Sequence, residues 1–419
     1  MEAPLLRARL LYLHTHVNLE KGWLSRYNPR PKGPTSTKTH PARERLLRRM
    51  IVKTTLGIIL FWTLCTGSLA RAVCAGTSVS AYGAKGDGAT DDTAAIQNAI
   101  NAAASAGGGS VVFNVARYYA TGTFIVPQGV VLCGAVEGPF DVQTANPAAT
   151  AIAPTLLVTN ASAPFITLQG IGAGVTDLLF YYPNQVSPNA STPTKYPYTI
   201  LVKAPGTKVV RSMVTNAYDF LDIESGRVLA QNLFIGAFHY GVNIDHAYDH
   251  VTLRNLISQV YWDILNNGVY PSAIDTWVYS NGIALVVNRA DNLEVHDFNV
   301  FSHFAGMLLT DSPDATQTPR CGFGTGSDID LDGMEYGIIV TASSAAGYEF
   351  TNVVVGGAGP PGTGQAAVLV KAGGSLPPEV LINGGSVVGG DSFALGPFPT
   401  PAAGHLTHIN IIGSDLPWP

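Results

Sequence analysis

The sequence predicts an all-β solenoid of stacked parallel coils, and three observations carry that expectation. The chain is rich in turn-forming residues and poor in charge, with 45 Gly and 27 Pro among 419 residues and only 13% charged side chains. Gly and Pro punctuate short strands and interrupt helices, so a helical enzyme is disfavoured. Beyond residue 200, short apolar strands recur behind Asn and Gly: Asn232-Leu233-Phe234-Ile235, Asn255-Leu256-Ile257, Asn292-Leu293-Glu294-Val295 and Asn352-Val353-Val354-Val355 form one theme. Gly241-Val242-Asn243-Ile244, Gly282-Ile283-Ala284-Leu285, Gly306-Met307-Leu308-Leu309 and Gly337-Ile338-Ile339-Val340 form another. The Asn232 to Asn255 spacing of 23 and the Gly282 to Gly306 spacing of 24 suit one solenoid coil, and longer gaps imply loop insertions. A coil cannot bury its own apolar face, so stacking on neighbours supplies the core and pairs the backbone groups. An antiparallel β-sandwich is the alternative for many short strands.

In chain order, residues 1–49 are basic and without periodicity, and read as a disordered extension or a mis-assigned start. Residues 50–75 read as a secretory signal: Lys53, an apolar run from Leu56 to Leu64, then small residues. Two cut sites fit, one at Val73-Cys74-Ala75 before Gly76 and one at Ala70-Arg71-Ala72. The apolar run falls short of the roughly 20 residues of a membrane span, so no stable membrane insertion is expected after cleavage and the mature protein is expected outside the cell or in the periplasm. Residues 76–419 form the expected folded domain. Of the four cysteines, Cys65 and Cys74 are expected to leave with the signal, and Cys133 and Cys321 to stay as buried free thiols. No CxxC, HExxH or Cys/His cluster suggests zinc.

The domain opens on Val79-Ser80-Ala81-Tyr82-Gly83-Ala84-Lys85-Gly86-Asp87-Gly88-Ala89-Thr90-Asp91-Asp92-Thr93-Ala94-Ala95-Ile96-Gln97. Its glycines permit successive turns, and Asp91 or Asp92 can accept backbone N–H groups at a helix start. Ile96, Ala99, Ile100 and Ala103 then form one apolar helical stripe, which Gly107, Gly108 and Gly109 stop. Ser110-Val111-Val112-Phe113 reads as a buried strand. The glycine spacing matches neither a P-loop nor a dinucleotide fingerprint. This opening resembles the pectate-lyase-like superfamily, in the branch of rhamnogalacturonase-like, epimerase-like and phage-tailspike-like proteins. The resemblance implies a single-stranded right-handed parallel β-helix with an N-terminal capping α-helix. In it, Asp87, Asp91 and Asp92 are structural. The Gly/Pro-rich tail, with Ala367-Val368-Leu369-Val370 and Ile409-Asn410-Ile411-Ile412, reads as the last coils and a cap.

Charge narrows the function. Residues 76–419 carry 11 Lys/Arg against 26 Asp/Glu, a formal net of −15. Such a body repels phosphate backbones, which disfavours nucleic acid as a partner. It also disfavours an unaided polyuronate, unless Ca²⁺ bridges the two sets of carboxylates; no other cofactor is required. The expected partner is a polysaccharide, held in a groove along one parallel sheet. Strands about 4.8 Å apart place equivalent carboxylates of coils one or two apart about 5 or 10 Å from each other, bracketing the retaining and inverting glycosidase separations.

Candidates cluster between residues 219 and 335. Asp219, Asp222 and Glu224 share one coil; Asp245, His246, Asp249 and His250 follow the next strand; Asp263, His303, Asp311, Asp314, Asp330, Asp332 and Glu335 come later. The reading commits to Asp245, Asp263, His303, Asp311 and Glu335 as catalytic, and to Tyr240, Tyr279, Arg289 and Tyr336 as substrate-binding, with no metal ligand. Asp and Asn at coil corners also satisfy turn backbone, which is the competing explanation for any one of them. The Asn-Thr-Asp, Gly-Asp-Asp, Gly-His-Gly and Arg-Ile-Lys motifs of polygalacturonases and the Asp-Pro-His-Glu motif of alginate epimerases are absent. A lyase needs a base beside a neutralised uronate, and Arg254 and Arg289 are the central-coil cations. The expected function is therefore a secreted glycoside hydrolase or polysaccharide lyase; the alternative is a non-catalytic glycan-binding, adhesion or structural β-helix.

Overall fold

The computed structural model describes residues 74–139, 151–185, 191–259, 272–356, 366–371, 373–388, 391–395 and 409–415. All lie in one compact unit, Ala72–Pro419. The expected signal and basic extension lie outside the described residues, except for Cys74 and Ala75.

Every paired strand runs parallel to its neighbour, and the pairs trace three faces wound one coil above another. The first face begins β1 (Gly76–Ser78), β3 (Gly109–Phe113) and β6 (Val130–Gly134). The second begins β2 (Asp87–Asp91), β4 (Ala116–Ala120) and β7 (Pro154–Val158). The third begins β5 (Phe124–Val126), β8 (Ile166–Leu168) and β11 (Ile200–Val202). Later strands are long enough to turn a corner and serve more than one face, and β14 (Val228–Ile244) runs through all three. Alternate side chains point inward, and Phe113, Phe124, Phe165, Phe180, Phe220 and Phe350 are fully buried there. Burying each such side chain stabilises the stack by about 1.5–3 kcal/mol.

One residue of left-handed backbone makes the corner between the first two faces. Asp177, Arg211, Asn232, Asn255, Asp297, Asp328 and Asn352 hold this place with φ between 47° and 59°. Asn and Asp tolerate that region because their short polar side chains bond locally. Three of the four predicted Asn positions thus mark one corner. Asn292 does not: it stands just before β17 (Leu293–Phe301), and Asp297 takes its expected place. The glycine theme shifts similarly. Gly241, Gly306 and Gly337 align with Ala284 and Ala367 in one column of the third face, whereas Gly282 lies two residues out of register. The column demands small residues because a Cβ at Gly241 would come within 2.5 Å of the Ala284 carbonyl oxygen.

The helix α1 (Thr93–Ser105) buries Ile96, Ala99, Ile100 and Ala103 into the common core, as its stripe predicts. Asp91 accepts from the backbone and hydroxyl of Thr93, at 3.0 and 2.6 Å. Buried Asp92 reaches back to the Lys85 and Gly86 amides, at 2.6 and 3.0 Å. Asp87 accepts from Ala89 and Thr90. All three serve the turn and helix start.

The cysteine expectation needs correction. Cys74 does not stand apart from the folded body: it is bonded to Cys133, with Cα atoms 6.2 Å apart, and among the described residues Cys321 is the free cysteine, buried. Cys74 stands two residues ahead of β1, whose Ser78 shares a register row with Val112 of β3 and Cys133 of β6.

Candidate functional site

The third face changes character along its length. Leu221 and Ile223 of β13 (Met213–Ile223), and Val242 and Ile244 of β14, point into the core, so Asp222 and Asn243 point outward at one register. Further along, that outward row becomes Val286, Leu308, Ile339 and Leu369, which with Ile283, Ala305 and Tyr336 make a second, largely buried apolar cluster. The polar chemistry is therefore concentrated on the coils of β11, β13 and β14.

Three rows of side chains cross these coils. In the middle row, the Asn243 amide donates to Asp222 at 2.8 Å, and the Asn288 amide donates to the Asn243 oxygen at 2.8 Å. Asn288 thereby turns the Asn243 NH₂ toward the carboxyl. Burial drives Asp222 up to about 6, with Glu224 and Asp245 adding to the rise; the Asn243 bond and Lys203 oppose it. On one side, Lys203 is ion-paired with Glu224. On the other, Asp219 accepts from the Tyr240 amide at 2.9 Å and lies 2.9 Å from His239 Nδ1. Its carboxyl is likewise raised by burial, against the pull of His239.

Aromatic rings wall this side. His239 stacks on Tyr240 at 3.7 Å and on Tyr218 at 4.8 Å between centroids. Trp277 stands 5.9 Å from Tyr218 and 6.1 Å from His239, carried by α2 (Ser272–Asn281), whose Ile274 and Val278 pack on Phe238. Burial raises Tyr198, Tyr218 and Tyr240, and Asp219 raises each further, so all three phenols keep their protons near neutral pH. A Tyr base of the kind a lyase uses is thus disfavoured here.

Of the residues given a catalytic or substrate-binding role from sequence, Tyr240 belongs to this constellation. Tyr336 shares its row three coils further on, about 14 Å away at the usual strand spacing, packed edge-on against Phe304, with half-buried Glu335 beside it. Asp245 is buried at the turn after β14, where it accepts from Ser312, Gln317 and the His246 amide. His303 is fully buried. Its Nδ1–H donates to the Phe301 carbonyl and its Nε2 faces the Ser258 hydroxyl, and burial drops it to about 4. Asp311 accepts from the Ser375 amide and hydroxyl. Tyr279 meets Ser302, and Arg289 is buried between the Pro319 carbonyl and Asp291. Asp263 lies outside the described residues. Asp219, Asp222 and Glu224 stand among the candidate acids read from sequence but were given no role there, and Asn243, His239, Tyr218 and Trp277 were not named as candidates. Leu221-Asp222-Ile223 and Val242-Asn243-Ile244 did carry a signal, a polar residue between two core aliphatics at one register.

Among the described residues, one group of metal-ligand type lies close enough to share an ion: Cys74, Cys133 and Asp177. The two sulfurs are bonded to each other, and Asp177 holds Arg211 at 2.7 Å through two nitrogens.

Residues 76–174 match the family model described as rhamnogalacturonase A/epimerase, pectate lyase-like. No curated protein matches the sequence. A tailspike protein mutant of E. coli bacteriophage HK620, solved in complex with pentasaccharide, shares the fold with a TM-score of 0.52 at 10% identity, over 81% of this chain and 62% of that one. The A-module of Azotobacter vinelandii mannuronan C-5 epimerase AlgE4 aligns at 0.43 and 17% identity, over 79% and 99% of the two chains. A hyperthermoactive exopolygalacturonase from Thermotoga maritima aligns at 0.43 and 10%, over 77% and 92%.

Proposed function

We propose, for a chain that carries a pectate-lyase-like parallel β-helix, that the outward side of its third face hydrolyses a neutral polysaccharide with Asp222 as general acid. The observation that carries this reading is an outward, half-buried carboxyl held by the Asn243 amide at 2.8 Å on the polar stretch of that face, which burial raises to about 6. A carboxyl that keeps its proton near neutral pH can give it to a departing glycosidic oxygen. In the proposed step the anomeric C–O bond breaks and the Asp222 proton passes to the leaving oxygen. Water forms the new C–O bond and yields its proton to His239 Nε2, while Nδ1 stays fixed by Asp219 at 2.9 Å. Tyr218, Tyr240 and Trp277 supply apolar ring faces against which a sugar can lie. Lys203, whose charge acts on Asp222, is already paired with Glu224, which favours neutral sugars over uronates.

Incubation with a panel of neutral and uronic polysaccharides is expected to release reducing ends from a neutral member, without an ultraviolet-absorbing unsaturated product. Retention of a glycan without turnover would place the protein in the binding class instead. An unsaturated product would make it a lyase.

Export belongs to the same reading. A disulfide persists in oxidising compartments, and the Cys74–Cys133 bond supports a mature chain that retains Cys74. The signal would then be cut at Ala70-Arg71-Ala72. An intact mass beginning at Val73, with two hydrogens lost to the bond, is expected; one beginning at Gly76 would overturn this.

A further inference from the structure

Where the third face turns back toward the first, loops of three consecutive coils enclose an open pocket lined by Pro205, Glu224, Gly226, Arg227, His246 and Tyr248. We infer that this pocket is an outer subsite in which Tyr248 stacks against a neutral pyranose unit of the glycan whose cleavage is proposed above, and the inference rests on that reading.

Tyr248 is 59% exposed, unusual for so large a ring, yet its surroundings are fixed. The loop 245–250 is pinned to the next coil by a parallel bridge between Ala247 and Ala290, with the Ala247 amide donating to the Arg289 carbonyl at 3.1 Å. The Arg289 guanidinium then packs on the Tyr248 ring, 5.5 Å from its centroid. That guanidinium is itself held by the Pro319 carbonyl and by Asp291 at 2.8 Å. The ring thus pays little ordering entropy when a flat apolar sugar face meets it. On the facing wall the chain comes very close: a Cβ at Gly226 would lie 2.5 Å from the Asp249 Cβ.

The rim selects the ligand class. Glu224 is paired with Lys203, Arg227 with Asp249 at 3.2 Å, and His246 stands between Asp245 and Asp314 at 3.4 and 3.0 Å. The Lys203–Glu224 and Arg227–Asp249 pairs offer donors and acceptors for hydroxyl groups, and with two carboxylates about His246 the rim holds no surplus positive charge for a uronate or phosphate. Glu224 also stands two residues beyond Asp222 on the same chain run, so the pocket continues from the acid toward the loops.

The test measures affinity for fragments of two to eight sugars from whichever panel polysaccharide the intact protein binds best. Tyr248→Ala is expected to lose about tenfold in affinity for the longer fragments and nothing for the shortest, and Tyr248→Phe to restore it. Tyr248→Trp, which keeps the stack, should show an emission shift with long fragments and none with the shortest. Equal affinity of Tyr248→Ala and the intact protein at every length would overturn the inference, as would an equal loss at every length. If Asp222→Asn keeps full turnover while the length dependence at Tyr248 holds, the assignment of the acid fails and the subsite stands. If the intact protein binds no glycan, both fall.

Discussion

Asp222→Asn is expected to lower kcat for polysaccharide hydrolysis by about 10²–10⁴-fold, the usual contribution of a positioned general acid. The amide keeps the size of the carboxyl and an oxygen to accept the Asn243 NH₂, now 2.8 Å away, so the face should stay intact. What it loses is the proton. KM and glycan retention should therefore change little, and the circular dichroism of the variant should match that of the intact protein. The pH profile adds a sign. Asp222 is raised to about 6, so the active, protonated form is present below that value, and kcat should fall as pH rises through it. A variant with near-normal kcat would remove Asp222 from the chemistry.

Acidification is expected to destabilise the fold through His303. Its imidazole is wholly buried, with Nδ1–H bonded to the Phe301 carbonyl and the Ser258 hydroxyl 3.3 Å from Nε2. Burial lowers it from 6.5 to about 4. A depressed folded-state value means that the unfolded chain binds the proton first. The stability is present above about 6.5 and is lost as pH falls toward 4, by roughly 3 kcal/mol over the window. Denaturant midpoints between pH 7 and 4.5 should record the loss. His303→Gln, which keeps a donor and an acceptor but does not titrate, should lose less over the same range. Asp222 acts in the opposite sense, since its raised carboxyl contributes stability below its unfolded value near 4 that disappears as pH passes 6. An acid limb unchanged in His303→Gln would assign the loss to other groups.

The fold was legible because its repeats follow from backbone geometry. Asn232, Asn255 and Asn352 announce a corner of left-handed backbone, and Gly241, Gly306 and Gly337 announce a column where a Cβ would strike the next coil. Asn292 and Gly282 show how such themes mislead: each has the right residue and the wrong register, because loop insertions displace one coil from the next in sequence. The disulfide was hidden for a related reason. Cys74 reads as the end of a signal, and nothing local in sequence points to its partner Cys133, 59 residues on and two strands away across β3.

The site was harder to read. Asp222 and Asp245 look alike in sequence, each at the end of a third-face strand. One points outward with its amide partner, and the other is buried beneath a loop whose Ser312 and Gln317 lie more than sixty residues away. His303 looked catalytic by its place before a strand, yet the coil beneath it closes over the ring. His239 gave no signal of its own, since its partners Asp219 and Trp277 come from a different coil and from a helix inserted after β15 (Val251–Gln259). Only stacking decides which of many Asp and His side chains end with an open face and a shifted proton.

The most direct test of that shifted proton is a carboxyl-carbon NMR titration of protein labelled at aspartate. The account predicts a resonance with a midpoint near pH 6 that is missing from Asp222→Asn. Complete titration of the Asp222 resonance below pH 5 would contradict it, because the acid would then be ionised wherever the protein is meant to work.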